Sequence, residues 1–183
     1  MEVLLYPTRP EKGCREAAEE SCYDALDALN ISYERADHEA LYTMEALEPV
    51  EKALGCSIVK NLFLTNRQQT DFYLLIMPGN KPFKTKHLSA QLGCSRLSFG
   101  NEEQLAQYLG VTPGSASILG LLHDKDHKVR LIMDKGIQSE EWFACHPCRN
   151  TSTLKLKFQD ILTKFLPSVG YEWTWVELPT EIE

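Results

Sequence analysis

The chain has 183 residues, of which 43% are hydrophobic and 25% are charged, and its 26 acidic and 19 basic residues give a net charge of -7. A chain of this length and composition can bury enough surface to fold without a metal ion or disulfide bonds. Its acidity argues against a protein that grips nucleic acid mainly through phosphates, and its apolar stretches are shorter than the roughly 20 residues that cross a bilayer. We therefore expect neither a membrane nor DNA as a partner.

The N-terminal region predicts a helix and shows no secretion signal. Apolar residues recur at helical spacing between Glu11 and Asn30, which predicts an amphipathic helix. Charged residues stand before it, where a signal peptide would have an apolar core, so we expect a cytoplasmic location. The six cysteines are then expected to be reduced. We interpret the chain as one domain, residues 1–183, with residues 1–30 as an N-terminal helical appendage.

The middle of the chain predicts alternating strands and helices. The patterns predict strands at 31–35, 57–65 and 71–77, the last two as a hairpin, and helices at 45–54, 84–92 and 101–109. The first of these helices carries Pro49 in its middle. Gly55, Gly93 and Gly110 follow the three helices, which is typical of helix C-termini.

The last third of the chain predicts mainly strands. Residues 118–122 and 129–133 are predicted to pair around the polar turn 123–127. Strands at 142–145 and 153–156 precede a helix at 158–166, and the aromatic segment 171–178 predicts an edge strand or a cover. This irregular alternation favours a mixed α/β or α+β domain with a mixed, largely antiparallel sheet.

Lys60 and Asn61 stand inside an otherwise apolar predicted strand. A buried ammonium without a partner is costly, so a lysine at this position needs a reason. Since side chains alternate along a strand, one of the two residues is expected to point into the core or into a cleft. A lysine at the sheet edge that extends its head group into water would give the same pattern, and the pattern alone favours that interpretation.

A loop rich in glycine precedes the apolar segment 118–122. It consists of Gly110, Val111, Thr112, Pro113, Gly114 and Ser115. Such a rigid loop can present backbone N–H groups to an anion or to a developing oxyanion. It matches neither the Walker loop nor the dinucleotide GxGxxG pattern, and from the residues alone a plain turn is the simpler interpretation.

His146 and Pro147 begin a third polar segment. It continues with the small polar side chains of Asn150, Thr151, Ser152 and Thr153. A histidine beside such side chains can bind a substrate through hydrogen bonds. A loop histidine that is satisfied by its neighbours is the alternative, and the residues alone do not exclude it.

Cys145 and Cys148 flank His146 in a CxxC spacing. A redox motif of this spacing usually opens a helix, whereas the residues that follow Cys148 predict a turn and a strand. A structural zinc site would need two more ligands at suitable spacing, and Cys56 and Cys94 are isolated. We therefore predict no metal site.

Taken together and in this order, the three polar motifs resemble the YbaK and prolyl-tRNA synthetase-associated editing domain superfamily. The resemblance runs from about Ile31 to Leu166. The His-Pro-x-x-Asn-Thr-x-Thr segment that begins at His146 is similar to that of the free-standing alanyl-tRNA-Pro deacylases, the ProXp-ala or ProX group. Inside this segment, Cys148 and Arg149 depart from the family's pattern.

The resemblance implies a curved, largely antiparallel mixed sheet or partial barrel flanked by helices, the YbaK fold. It implies hydrolysis of the ester between an amino acid and the terminal adenosine of tRNA, with no metal and no organic cofactor. The implied partners are the acceptor end of tRNA-Pro and, less directly, prolyl-tRNA synthetase. A synthetase cannot exclude alanine strongly, because a methylene or two is worth only about 1–3 kcal/mol, so a second pocket that hydrolyses the smaller amino acid is useful.

The resemblance also implies roles for individual residues. The implied catalytic residues are Lys60, Asn61, Gly110 and Gly114, with loop N–H groups at the oxyanion and the lysine orienting the ester or the terminal nucleotide. The implied substrate-binding residues are Thr112, Pro113, Ser115, His146, Asn150, Thr151 and Thr153.

Two alternatives to the alanyl-tRNA-Pro deacylase stay open. A cysteinyl-tRNA-Pro deacylase would have the same fold, although His146 argues against it because members with that activity typically lack this histidine. A non-catalytic module that senses aminoacyl-tRNA or proline fits the net acidity of the chain. The joint presence of Lys60, the glycine loop and His146 favours an active enzyme.

Overall fold

The computed structural model describes residues 1–181 of the chain. In chain order the strands are β1 (Leu4–Tyr6), β2 (Tyr33–Asp37), β3 (Lys60–Asn66), β4 (Phe72–Met77), β5 (Leu97–Phe99), β6 (Val129–Asp134), β7 (Trp142–Cys145), β8 (Ser152–Lys157) and β9 (Trp173–Val176). The helices are α1 (Ala17–Ala28), α2 (Glu48–Leu54), α3 (Thr85–Leu92), α4 (Glu102–Gln104), α5 (Phe158–Asp160) and α6 (Leu166–Ser168). Two π-helical turns, Leu105–Leu109 and Ile161–Phe165, continue α4 and α5.

The strands form two sheets, with the orders β1-β2-β8-β7 and β5-β3-β4-β6-β9. The pairings β4–β6 and β6–β9 are parallel and the other five are antiparallel. The prediction of a mixed fold with largely antiparallel strands is therefore confirmed, with two sheets in place of the single one expected. The sheets meet where Ile58 bridges Ala144 and where the Val59 N–H donates to the Ala144 carbonyl over 3.3 Å. This junction brings the start of β3 beside the end of β7.

The N-terminal segment packs into the same core as the rest of the chain. In α1, Cys22, Tyr23 and Leu26 lie at helical spacing and are fully buried in the largest hydrophobic cluster. Strand β1, which the sequence pattern did not reveal, extends the first sheet by pairing with β2. No helix within residues 1–181 is long and apolar enough to span a membrane.

The predicted hairpin between 118–122 and 129–133 is wrong. Ile118–His123 forms a 3₁₀ helix, and β6 pairs with β4 in parallel. Asn61 and Ser117 explain the difference, because their side chains accept hydrogen bonds from the N–H groups of Ile118 (2.9 Å) and Leu119 (3.2 Å), which a strand would offer to a neighbour. A short apolar run that is buried on all sides does not reveal its own period.

Helix α2 also differs from its prediction. It begins at Glu48, so Pro49 lies in its first turn and not in its middle. Proline is favoured there because its missing N–H would have no partner within the helix. Gly55 ends this helix with a left-handed φ of 68°, as the sequence predicted.

Candidate active site

A cavity of about 330 Å³ opens at the junction of the two sheets. One side is formed by the start of β3 and the other by the end of β7, and loops 41–44 and 110–116 close its ends. Of the residues predicted for the site, Lys60, Asn61, Gly114 and His146 line this cavity. Motifs that are far apart in sequence therefore meet in one place.

Lys60 supplies the only lysine ammonium in the cavity lining that the structure describes. Its Nζ donates a hydrogen bond to the Lys81 carbonyl over 2.5 Å, and burial lowers its pKa. Within residues 1–181 no carboxylate lies at ion-pair distance from it. The ammonium has three N–H donors, so two are left for a ligand.

The segment that accepts this hydrogen bond is anchored by a buried ion pair. Lys81 Nζ lies 2.8 Å from Asp134 Oδ2, and the two side chains are 8% and 0% exposed. The remaining Asp134 oxygen accepts from the Leu178 N–H over 2.8 Å. Lys81 is thus part of the core, whereas its sequence neighbours Lys84 and Lys86 are exposed.

Asn61 connects β3 to the chain that follows the glycine loop. Its Oδ1 accepts from the Ile118 N–H over 2.9 Å, and its Nδ2 donates to the Val59 carbonyl over 3.4 Å. The carboxamide therefore holds the loop against the strand. This contact favours a positioning role for Asn61.

The glycine loop divides into a buried start and an exposed tip. Gly110 ends the preceding helix at a φ of 64° and packs on His123, whose ring would lie 2.7 Å from an added Cβ, so it is outside the cavity lining. At the tip, Ser115 N–H donates to the Thr112 carbonyl over 2.9 Å and closes a turn. Within the described residues, the Gly114 and Ala116 N–H groups have no protein acceptor, and both residues line the cavity.

His146 is held by a network of hydrogen bonds. Its Nδ1 lies 2.8 Å from the Ser152 carbonyl, which can only accept, so Nδ1 carries the proton. Thr153 Oγ1 lies 3.3 Å from the same nitrogen and 2.8 Å from His38 Nε2. Because His38 Nδ1 donates to the Glu39 carbonyl over 2.8 Å, neutral His38 accepts the Thr153 proton at Nε2.

This network leaves His146 Nε2 as a hydrogen-bond acceptor in the cavity wall. Burial lowers the pKa of His146 to about 4, and it also lowers the pKa of His38. Both rings are therefore neutral near pH 7. A neutral imidazole with a protonated Nδ1 can accept a hydrogen bond at Nε2 but cannot act there as a donor.

Asn150 and Thr151 hold the loop before Tyr42 in place and so stabilise one wall of the cavity. Asn150 Nδ2 donates to the Leu41 carbonyl over 2.9 Å, and the Thr151 carbonyl accepts from the His38 N–H over 3.0 Å. Both bonds fix the loop that carries Tyr42. The predicted site residues that do not line the cavity are Gly110, Thr112, Pro113, Ser115, Asn150, Thr151 and Thr153.

Cys148 and Arg149, which depart from the family pattern, are not among the residues that line the cavity. Cys148 is fully buried, and its sulfur lies 3.4 Å from that of Cys22 in α1. Arg149 Nη1 donates to the Gly110 carbonyl over 2.9 Å. Both residues tie the His146 segment to its surroundings. Among residues 1–181, no group of three or more His, Cys, Asp or Glu side chains could hold a metal ion.

Several lining residues were missed by sequence reasoning. They include Tyr42, Met44, Phe63, Phe99 and Leu105. His38 was also missed, and it contacts His146 through Thr153. The aromatic and apolar residues come from separate segments and carry no local pattern that marks a site. His38 is the exception, since a histidine beside the end of a predicted strand could have been noted.

Comparison with known proteins finds related sequences. The sequence profile of the aminoacyl-tRNA editing domain matches residues 38–164. The chain is 32% identical to the prolyl-tRNA editing protein ProX of Acetoanaerobium sticklandii, over 88% of this chain and 98% of that protein. It is 28% identical to the prolyl-tRNA synthetase associated domain-containing protein 1 of Danio rerio, over 75% of each chain.

Solved structures share the fold at low sequence identity. The crystal structure of a candidate trans-editing enzyme for prolyl tRNA synthetase superposes with a TM-score of 0.67 at 13% identity, over 91% of this chain and 99% of that one. The crystal structure of a hypothetical protein gives a TM-score of 0.62 at 14% identity, over 85% of this chain and 96% of that one. At these identities the likeness shows the arrangement of strands and helices alone.

Proposed function

The chain belongs to the aminoacyl-tRNA editing domain family, and we propose that it removes alanine from mischarged alanyl-tRNA-Pro by hydrolysing the ester bond. The observation that carries this proposal is the meeting of Lys60 and His146 in one cavity, next to the free N–H groups of Gly114 and Ala116. In this arrangement donors and an acceptor converge on a space of about 330 Å³. That volume is at the lower end for small-ligand sites and fits an aminoacylated terminal nucleoside.

The reaction needs little acid–base machinery, because an aminoacyl ester is already activated. Water attacks the carbonyl carbon, the bond to the ribose oxygen breaks, and the leaving ribose oxygen takes up one proton from the attacking water to become a hydroxyl. The second proton of that water leaves to solvent as the amino acid forms its carboxylate. Gly114 and Ala116 N–H groups would hold the negative oxygen of the tetrahedral intermediate, and the Lys60 ammonium would orient the ester or the terminal nucleotide.

His146 would contact the amino-acid part of the substrate. Its Nε2 lone pair suits the α-ammonium group of the alanyl residue, which is a hydrogen-bond donor. Since the ring is fixed at Nδ1, it cannot rotate away to admit a bulkier residue. A fixed wall can exclude proline by repulsion while it still holds alanine.

Deacylation assays with alanyl-, cysteinyl- and prolyl-tRNA-Pro test this proposal directly. We expect alanyl-tRNA-Pro to be hydrolysed fastest and prolyl-tRNA-Pro to be spared. A preference for cysteinyl-tRNA-Pro would identify the second type of deacylase. Absence of hydrolysis with retained binding of charged tRNA would identify a sensing module. Addition of prolyl-tRNA synthetase to the same assay tests whether it is a partner.

The proposal includes the organisation of the chain as a single editing domain, residues 1–183. The contacts of α1 with the main cluster support it, because Tyr23 and Leu26 of this helix are buried in that cluster and their removal would expose the residues they cover. A shortened protein that begins at residue 31 should therefore unfold more easily in urea. A shortened protein as stable as the full chain would identify residues 1–30 as a separable appendage.

A further inference from the structure

Two aromatic side chains at the mouth of the cavity are unusually exposed. Tyr42 and Phe99 are 70% and 60% exposed, although both line the cavity. Aromatic rings of this size usually bury most of their surface on folding. Exposed rings beside a cavity are typical of a binding surface.

The rings of Tyr42 and Phe99 both pack against other parts of the protein. The Tyr42 ring packs over the glycine loop, where a Cβ added to Gly114 would lie 2.6 Å from Tyr42 Cδ1. Only glycine therefore lets the ring lie this close to the loop. The Phe99 ring packs edge-on against Phe83, with 6.2 Å between ring centroids and an interplanar angle of 72°. These contacts hold the two rings in place, so that each can serve as a stacking surface for a ligand.

A basic surface begins beside Phe83. Between Phe72 and Asn101 the chain has no Asp or Glu, although its net charge is -7. Lys84, Lys86 and Arg96 are exposed in this stretch and line a common surface depression. The other lysine of the stretch, Lys81, is neutralised by Asp134 and contributes no charge to this surface.

The cavity and the basic surface are joined by one short segment. Lys60, inside the cavity, donates to the Lys81 carbonyl, and the chain reaches Phe83 and Lys84 within three residues. Phe83 contacts Phe99 at the mouth. A ligand that extends out of the cavity past Phe99 therefore lies next to the basic surface of Lys84, Lys86 and Arg96.

Stacking platforms next to a local basic surface are the features that bind single-stranded nucleic acid. We propose that the unpaired 3′ end of the tRNA enters the cavity with its bases stacked on Tyr42 and Phe99, and that the phosphates behind it lie along Lys84, Lys86 and Arg96. This inference rests on the proposed function. It also reconciles the acidity of the chain with an RNA substrate, because the attraction is confined to one face.

The aromatic part is tested by single-turnover deacylation of alanyl-tRNA-Pro at increasing enzyme concentration. Tyr42→Ala and Phe99→Ala should each raise the half-saturating concentration by about fivefold to a hundredfold, which is the range for loss of one stacked base. Phe99→Trp preserves a stacking face and should restore binding. Trp142→Ala removes a partly exposed aromatic outside the cavity lining and should change nothing.

The basic part is tested by the triple variant Lys84→Gln, Lys86→Gln and Arg96→Gln. Binding of uncharged tRNA, followed by fluorescence anisotropy, should weaken, and the slope of log affinity against log salt should flatten by about 2 for three lost phosphate contacts. The maximal deacylation rate should be unchanged, because none of the three residues lines the cavity. The matched control, Lys125→Gln, Lys128→Gln and Lys157→Gln, removes three exposed charges elsewhere and should keep the wild-type slope.

The outcomes separate this inference from the proposed function. If the wild type deacylates tRNA while both sets of variants keep wild-type binding and salt slopes, the RNA path is wrong and the proposed function stands. A Phe99→Trp variant that binds as weakly as Phe99→Ala also overturns the stacking role. If the wild type hydrolyses no aminoacyl-tRNA, the proposed function fails, and the anisotropy measurements still decide the RNA path.

Discussion

Lys60 and His146 face the same cavity but are held in opposite ways. Lys60 is half-buried and bound through one carbonyl, whereas His146 is buried and belongs to a network with Ser152, Thr153 and His38. The lysine therefore keeps donors and conformational freedom for a ligand, while the histidine presents a single fixed acceptor. In the proposed reaction, Lys60 would act on the substrate directly, whereas His146 would also shape the pocket.

The largest effect is expected for Lys60→Ala. In the proposed reaction the Lys60 ammonium orients the ester or the terminal nucleotide, and loss of such positioning lowers the rate by about a hundredfold or more. The melting temperature should stay near the wild-type value, because no ion pair is broken and a costly desolvation is removed. Single-turnover hydrolysis of alanyl-tRNA-Pro beside a thermal melt measures both.

Lys81→Ala is the matched contrast, since it removes the lysine whose backbone carbonyl accepts the Lys60 hydrogen bond. It leaves Asp134 buried without its cation, which costs about 3–5 kcal/mol in typical proteins. We expect this variant to melt early. If Lys60→Ala melts like Lys81→Ala, or deacylates at the wild-type rate, Lys60 is a structural residue.

The second largest effect is expected for His146→Ala. A misplacement of the ester by about 1 Å can cost on the order of a hundredfold in rate, so alanyl-tRNA-Pro should be hydrolysed much more slowly. The advantage of alanine over larger residues should also narrow, because a shortened wall excludes less. Rates on alanyl-, cysteinyl- and prolyl-tRNA-Pro measure both effects. Unchanged ratios among the three would make His146 a bystander.

The elements with a clear period were predictable from the sequence, and those set by tertiary contacts were not. The hairpin of β3 and β4 follows from two apolar strands around a polar turn. The 3₁₀ helix at Ile118–His123 depends on hydrogen bonds that its N–H groups donate to the side chains of Asn61 and Ser117, which no local pattern reveals. Short edge strands such as β1 have too few residues to show alternation.

The candidate site likewise contains residues that a local sequence pattern reveals and residues that only tertiary contacts bring to the cavity. Lys60 and His146 were found because a polar residue in an apolar strand and a histidine in a polar segment stand out locally. The free N–H groups of Gly114 and Ala116 could not be distinguished from their neighbours, because the turn closed by Ser115 decides which donors stay free. Tyr42 belongs to the site only because the chain folds back over Gly114.

The pH dependence of the free energy of unfolding tests whether His146 is buried and neutral in the cavity wall. The pKa of His146 is about 4 in the folded state, below the roughly 6.5 of an unfolded histidine. Between these values the unfolded chain binds more protons, so stability falls as the pH decreases from about 6.5 towards 4. At pH 5 the loss of stability due to His146 is roughly 2 kcal/mol. The lowered pKa of His38 also reduces stability as the pH falls.

Urea unfolding of the wild type and His146→Gln at pH 7 and pH 5 measures this contribution. The variant lacks the titrating group, so its stability should change less between the two pH values. An equal change in both proteins would mean that His146 titrates normally. The fixed acceptor in the cavity wall would then lose its physical basis.

The smallest effect is expected for Thr153→Val, which removes the hydroxyl between the two histidines with little change in shape. His38 Nε2 then loses its donor, while His146 keeps its bond to the Ser152 carbonyl. A neutral hydrogen bond contributes about 1 kcal/mol, so we expect a similar loss of stability and about a fivefold lower rate on alanyl-tRNA-Pro. Because Thr153 acts through His146, the rate effect should disappear when Thr153→Val is combined with His146→Ala. If the two effects multiply instead, Thr153 affects the rate by another route, and the network does not explain how His146 is fixed.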